Sequence, residues 1–265
     1  MLYTAVMIGV LFSLYGWYLK REKVWRNLAI AAALVPLSAP FDDAWHRWFG
    51  VENLSTIWIV WSPPHLLLFS TLVAGILLAL PLLKRRPEPV HLLLGSYAWG
   101  CILAISAVTV APLYPFGPYH ILGFTGAGVH ASLLVLILLF AGRWSGMLGA
   151  TFASVVFISL YFLHAAAVPA WWVKIPSFIN PPPFTIFFSM IAPALIVDLK
   201  KTPWLVTGAL AGFAYGMLLY GFTSLFLSSE FQYTNQEMAI AIFSSVIGGF
   251  VAGVLVHIYE KLVTK

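Results

Sequence analysis

The residues best able to do chemistry stand together between Phe41 and His65, in the stretch FDDAWHRWFGVENLSTIWIVWSPPH. The whole chain has 9 Asp and Glu and 7 His, and this stretch holds Asp42, Asp43, Glu52, His46 and His65 between two strongly apolar segments. Asp42 precedes His46 by four residues, so on a helix their side chains share a face, one turn apart, and can reach a common ion. His65 follows across a short connection. One carboxylate with two imidazoles is a set of hard and borderline ligands that suits copper, zinc or iron and leaves coordination positions open. Each residue also has a plainer reading: Asp42 or Asp43 caps a helix or pairs with a cation near a membrane surface, and the histidines snorkel there. As a set they point to function, because charged and imidazole groups are costly at membrane depth.

The elements that must position this set follow from composition. With 61% hydrophobic and 9% charged residues and a mean hydropathy of +0.93, the chain is not a soluble globular domain. It reads as an all-α, polytopic membrane helix bundle, a single integral membrane domain over residues 1–265. A crossing needs about 20 apolar residues, so the length gives about nine transmembrane helices, in a range of seven to nine. The net charge of +5 then reflects basic residues gathered on one side of the membrane, and no nucleic-acid partner is implied. The one cysteine, Cys101, rules out a disulfide framework or a thiolate metal site within one chain.

In chain order, Leu2 to Leu19 is an apolar run with no basic residue before it and Lys20, Arg21, Lys23 and Arg26 after it. That is the reverse of a signal peptide's charge order, so it reads as the first span with the N-terminus outside. Further spans are expected at Asn27 to His46, Pro63 to Leu83, His91 to Leu113, His120 to Ala141, Ser145 to Val168, Phe184 to Val197, Trp204 to Leu227 and Met238 to Ile258. The seventh is short and follows Pro181, Pro182 and Pro183, which implies a tilted or partly re-entrant segment. Counting crossings puts twelve basic residues inside and leaves only Arg47 and Lys174 outside, as the positive-inside rule requires.

This topology sets depth. Asp42 and His46 come at the outer end of the second span. Ser62 and Pro63 read as the N-cap and first helical position of the third, which puts His65 in its first turn on the same side. His120 opens the fifth span on the outer side, and His164 lies near the outer end of the sixth. His130, ten residues beyond His120, falls about 15 Å deeper at 1.5 Å per residue. His91 and His257 are interfacial on the inner side. Trp45, Trp48, Trp58 and Trp61, with Trp171 and Trp172, form an outer aromatic belt.

Asp42, Asp43, Ala44, Trp45, His46, followed by Trp61, Ser62, Pro63, Pro64, His65, resembles the D-x-x-W-H and F-T-P-S-H patterns in the C subunit of the copper membrane monooxygenases, the particulate methane and ammonia monooxygenases. The resemblance covers roughly residues 27–135 at the level of motifs. It implies that Asp42, His46 and His65 bind a metal, generally taken as copper, in the membrane near the outer face. It also implies a hetero-oligomeric complex with other membrane subunits that oxidises ammonia or a small apolar substrate. The two histidines lie nineteen apart here and nearer a dozen in the family. Where the family has Asn four before a later His, this chain has Gly126 before His130. Asp43, His120, His130 and His164 are thus candidates for a second site or a surrounding shell.

Two other classes fit the same residues. In a channel, transporter or structural subunit, the Asp and His cluster would form a proton or cation site, and polar residues would continue toward the inner side. In a metal storage or assembly protein the ligands stay and turnover is absent.

Overall fold

The computed structural model describes residues 2–50, 61–84, 88–110, 123–167, 183–199, 202–222 and 234–263. Among them no strand occurs, and nine α-helices follow one another: α1 (Leu2–Lys20), α2 (Lys23–Phe49), α3 (Pro63–Leu83), α4 (Glu88–Val110), α5 (Gly126–Ser145), α6 (Gly149–Ala167), α7 (Pro183–Asp198), α8 (Trp204–Gly216) and α9 (Asn235–Val263). A 3₁₀ turn, Gly123–Thr125, precedes α5, and a π turn, Met217–Gly221, continues α8. Six helical segments are long and apolar enough to cross a membrane: Lys23–Phe49, Pro63–Leu83, Glu88–Thr109, Gly123–Ser145, Trp204–Gly221 and Asn235–Val263. The apolar stretches of α1, α6 and α7 are shorter. A protein so built is made for a lipid bilayer, since a helix satisfies its own backbone hydrogen bonds where water cannot.

The chain forms two compact units, Met1–Pro87 and Glu88–Lys265. In the first, α2 packs against both α1 and α3. Arg21 turns the chain between α1 and α2 through a left-handed conformation (φ 54°), and Phe12 meets Trp25 edge to face at 5.8 Å. Inside α2 stand Pro36 and Pro40. Each lacks an N–H, and its ring crowds the carbonyl four residues back, which loosens the helix in the turns before Asp42. The buried Ser38 hydroxyl donates to the Val35 carbonyl at 2.7 Å and holds one oxygen of that region. Helix α3 starts as the sequence implies, with Ser62 at the N-cap and prolines in the first two positions.

In the second unit α5 is central, packed against α4, α6, α7, α8 and α9, and α9 lies closely against α5 and α8. Gly208, Gly212 and Gly216 recur every fourth residue on α8, as do Ser245, Gly249 and Gly253 on α9. A Cβ added to Gly249 would strike the Gly208 carbonyl, and one on Gly208 would strike that of Gly249. A second seam joins Gly248 of α9 to Gly128 of α5. Lipid tails are as apolar as leucine, so helices in a membrane associate through such close backbone contact, which small residues permit. Polar locks fix the helix ends. Arg143 of α5 pairs with Glu260 of α9, and the Asp198 carboxylate at the end of α7 accepts hydrogen bonds from Ala150 N (3.1 Å), Thr151 N (2.8 Å) and Thr151 Oγ1 (2.6 Å) at the start of α6. An anion is favoured there by the unpaired amides and the helix dipole. Thr234 and Glu237 form a reciprocal capping box at the start of α9.

The fifth span is found as the segment Gly123–Ser145, a 3₁₀ turn at Gly123–Thr125 followed by α5. Its expected start at His120 lies outside the described residues. His130 is four residues, about 6 Å, beyond the start of α5. Helix α7 has 16 residues and carries Pro193 inside it, in keeping with a short seventh segment.

The α8–α9 seam makes a direct prediction. Gly249→Val should destabilise the detergent-solubilised protein by about 1–3 kcal/mol, the usual cost of overpacking, seen as a lower Tm and a loss of monodisperse material in size-exclusion chromatography. Gly9→Ala, where an added Cβ meets nothing within 4 Å, should leave both readouts unchanged.

Candidate metal centre

Asp42 and His46 lie on the last two turns of α2, and the i, i+4 spacing brings Asp42 Oδ1 to 3.7 Å from His46 Nε2. His65, the third residue of α3, approaches the same oxygen, with its Nε2 3.6 Å from Asp42 Oδ1. Packing of α2 on α3 thus sets one carboxylate oxygen before two imidazoles that are nineteen residues apart in sequence. Both distances exceed hydrogen-bond length. Asp42 Oδ1 is closed off from solvent and has no hydrogen-bond partner among the described residues. A buried carboxylate oxygen without a donor is costly, and the remedy is a cation or a proton held close by.

The ring of His65 is fixed from its other side. Its Nδ1 lies 2.9 Å from the Ser62 hydroxyl, and Ser62 is fully buried. Trp45 packs against Phe49 one turn on, with ring centroids 4.3 Å apart and planes tilted by 35°. The side chains of Asp42, His46 and His65 are 25–32% exposed as a whole, although Asp42 Oδ1 itself is covered.

The fit to a metal can be tested on these atoms. Donor atoms 3.6–3.7 Å apart can each stand about 2 Å from one ion, the usual length of a bond to imidazole or carboxylate. The orphaned oxygen and the mixed N and O donor set fit copper, zinc or iron. Among the described residues, however, no group of three or more His, Cys, Asp or Glu is arranged so that it could hold a metal ion. Asp42 meets the imidazoles one at a time, and bringing all three onto a single ion takes a further adjustment of side chains.

The other candidates are placed differently. Asp43 faces away, in an exposed ion pair with Arg47 at 2.7 Å, as its position 100° further round the helix dictates. It does not substitute for Asp42. His130 belongs to the second unit, is buried, and is hydrogen-bonded through Nδ1 to the Tyr215 hydroxyl of α8. His164 is on α6, near its end, with its side chain outside the described residues; His120 lies wholly outside them, as do Trp58, Trp171 and Trp172. His91 Nε2 is 2.7 Å from the Trp144 carbonyl oxygen, which ties α4 to the end of α5.

Sequence reasoning missed two partners. Ser62 was read only as a cap, although its spacing of three before His65 puts it within reach of that ring. Tyr215 drew no reading, since nothing local marks a tyrosine 85 residues from a histidine as its partner. Tyr215→Phe should cost about 1–3 kcal/mol, the penalty for leaving a buried polar group without its donor or acceptor, measured as a fall in Tm in detergent. Metal content should not change.

Compared with protein-family models, curated proteins and solved structures, the chain matches none.

Proposed function

We propose that Asp42, His46 and His65 hold a metal ion, copper first and zinc or iron next, in an integral membrane subunit resembling the C subunit of a membrane monooxygenase. On this reading the chain works beside other membrane subunits and serves the oxidation of ammonia or a small apolar molecule. The observation that carries it is the Asp42 carboxylate oxygen, sealed from water, unpartnered among the described residues, and faced by the Nε2 atoms of both histidines.

Each residue has a part. Asp42 supplies the negative charge that offsets the cation and makes cation binding favourable in an apolar setting. His46, one helical turn after Asp42, supplies an imidazole. His65 supplies the second from a different helix, so the site exists only while α2 and α3 stay packed. Bound copper would supply one-electron chemistry and an open position for dioxygen. The surrounding apolar helices exclude bulk water and admit apolar solutes. The same reading takes nine crossings with the N-terminus outside, which puts the site near the outer face of the cell membrane.

Copper and zinc quantified on protein purified in mild detergent test this reading. About one copper per chain is expected in the wild type, less than a tenth of that in His46→Ala and Asp42→Ala, and the wild-type value in Asp43→Ala. Metal indifferent to His46 and Asp42, or no metal after loading, would defeat the proposal and favour a proton or cation site in a channel or transporter. Copper held without oxygen-dependent turnover in the assembled complex would leave a storage or assembly role.

A further inference from the structure

Ser62 occupies an N-cap position but does not cap. An N-cap hydroxyl normally accepts from the second or third backbone N–H of the helix. Here the first two residues are Pro63 and Pro64, which have no N–H, and the Ser62 side chain makes no capping hydrogen bond. Its carbonyl still takes the first helical bond, from Leu66 N at 3.0 Å. The hydroxyl is left for the ring of His65, 2.9 Å away at Nδ1, and complete burial keeps it from turning to water.

We propose that Ser62 is the positioning residue of the Asp42, His46 and His65 site, holding the His65 ring in place and taking its proton on Nδ1 as a hydrogen bond when Nε2 faces a cation. This inference rests on the metal-binding reading given above. Two arrangements satisfy the pair. When the hydroxyl donates to Nδ1, the proton of neutral His65 is on Nε2 and points toward Asp42. When Nδ1–H donates to the hydroxyl oxygen, Nε2 turns a lone pair toward the carboxylate, which is favourable only with a cation at hand. A serine can take either role because its hydroxyl both donates and accepts. Passing from one state to the other moves the imidazole proton from Nε2 to Nδ1 and rotates the hydroxyl. Serine keeps its own proton, His65 stays neutral, and no net proton is released from this residue. Partners of this kind on the far nitrogen of a ligating histidine orient the ring and raise its basicity.

The test uses the full chain in detergent with copper(II) as the probe, its affinity measured by competition with a chelator, in wild type, Ser62→Ala, His65→Ala and the double variant. Ser62→Ala should weaken copper binding about 10–100-fold, the usual loss on removing such a partner. It should also alter the nitrogen hyperfine pattern in electron paramagnetic resonance. In the His65→Ala background it should change neither. Metal-free Tm should shift by no more than a few degrees, because the hydroxyl does not cap α3. Wild-type affinity and spectrum in Ser62→Ala, or an equal loss with and without His65, would overturn the role of Ser62 while the metal site stands. Absence of copper that depends on His46 in the wild type would overturn the metal reading itself.

Discussion

A carboxylate oxygen withdrawn from water must be answered by positive charge or a donor, and Asp42 is where this chain meets that requirement. The answer cannot come from α2 alone, because His46, one turn on, stops at 3.7 Å. It takes the start of α3, where two prolines fix the first helical turn and direct His65 to the same oxygen. The two prolines inside α2 work to the same end by loosening the backbone ladder just before Asp42. Prolines are tolerated in helices of this kind when neighbouring groups satisfy the freed carbonyls.

The second unit solves a different problem with different residues. Its helices have no hydrophobic drive toward one another in a bilayer, so contact comes from backbones brought close by glycine and serine. Helix α9 carries two such seams one residue apart, Gly248 toward α5 and Gly249 with Gly253 toward α8. Charged groups are confined to helix ends, where Asp198 meets the first amides of α6 and Arg143 meets Glu260. Within the helical interior the buried His130 and Tyr215 supply each other with a polar partner.

Helices were legible because hydropathy is a local property. The third helix was read from Pro63 to Leu83 and is found there, since proline and the cap before it are local signals. The left-handed turn at Gly123 ahead of α5 was not read, because an apolar run does not show where a glycine turns the backbone. The glycine spacing at 208, 212 and 216 is plain in the sequence, but which helix it packs against is not.

By itself the sequence determined an all-helical chain with segments built for a bilayer, and it put Asp42 and His46 on one helical face, since a four-residue spacing fixes that geometry wherever the helix goes. Tertiary structure alone decided that His65 joins Asp42, that Asp43 is drawn off by Arg47, that Ser62 serves the His65 ring in place of the helix end, and that His130 bonds to Tyr215. The His65 and His130 contacts join residues far apart along the chain, and no local pattern records them; they depend on which faces of two helices meet. The Ser62 and Asp43 contacts are local in sequence but turn on side-chain direction, which spacing leaves open until packing and burial choose it.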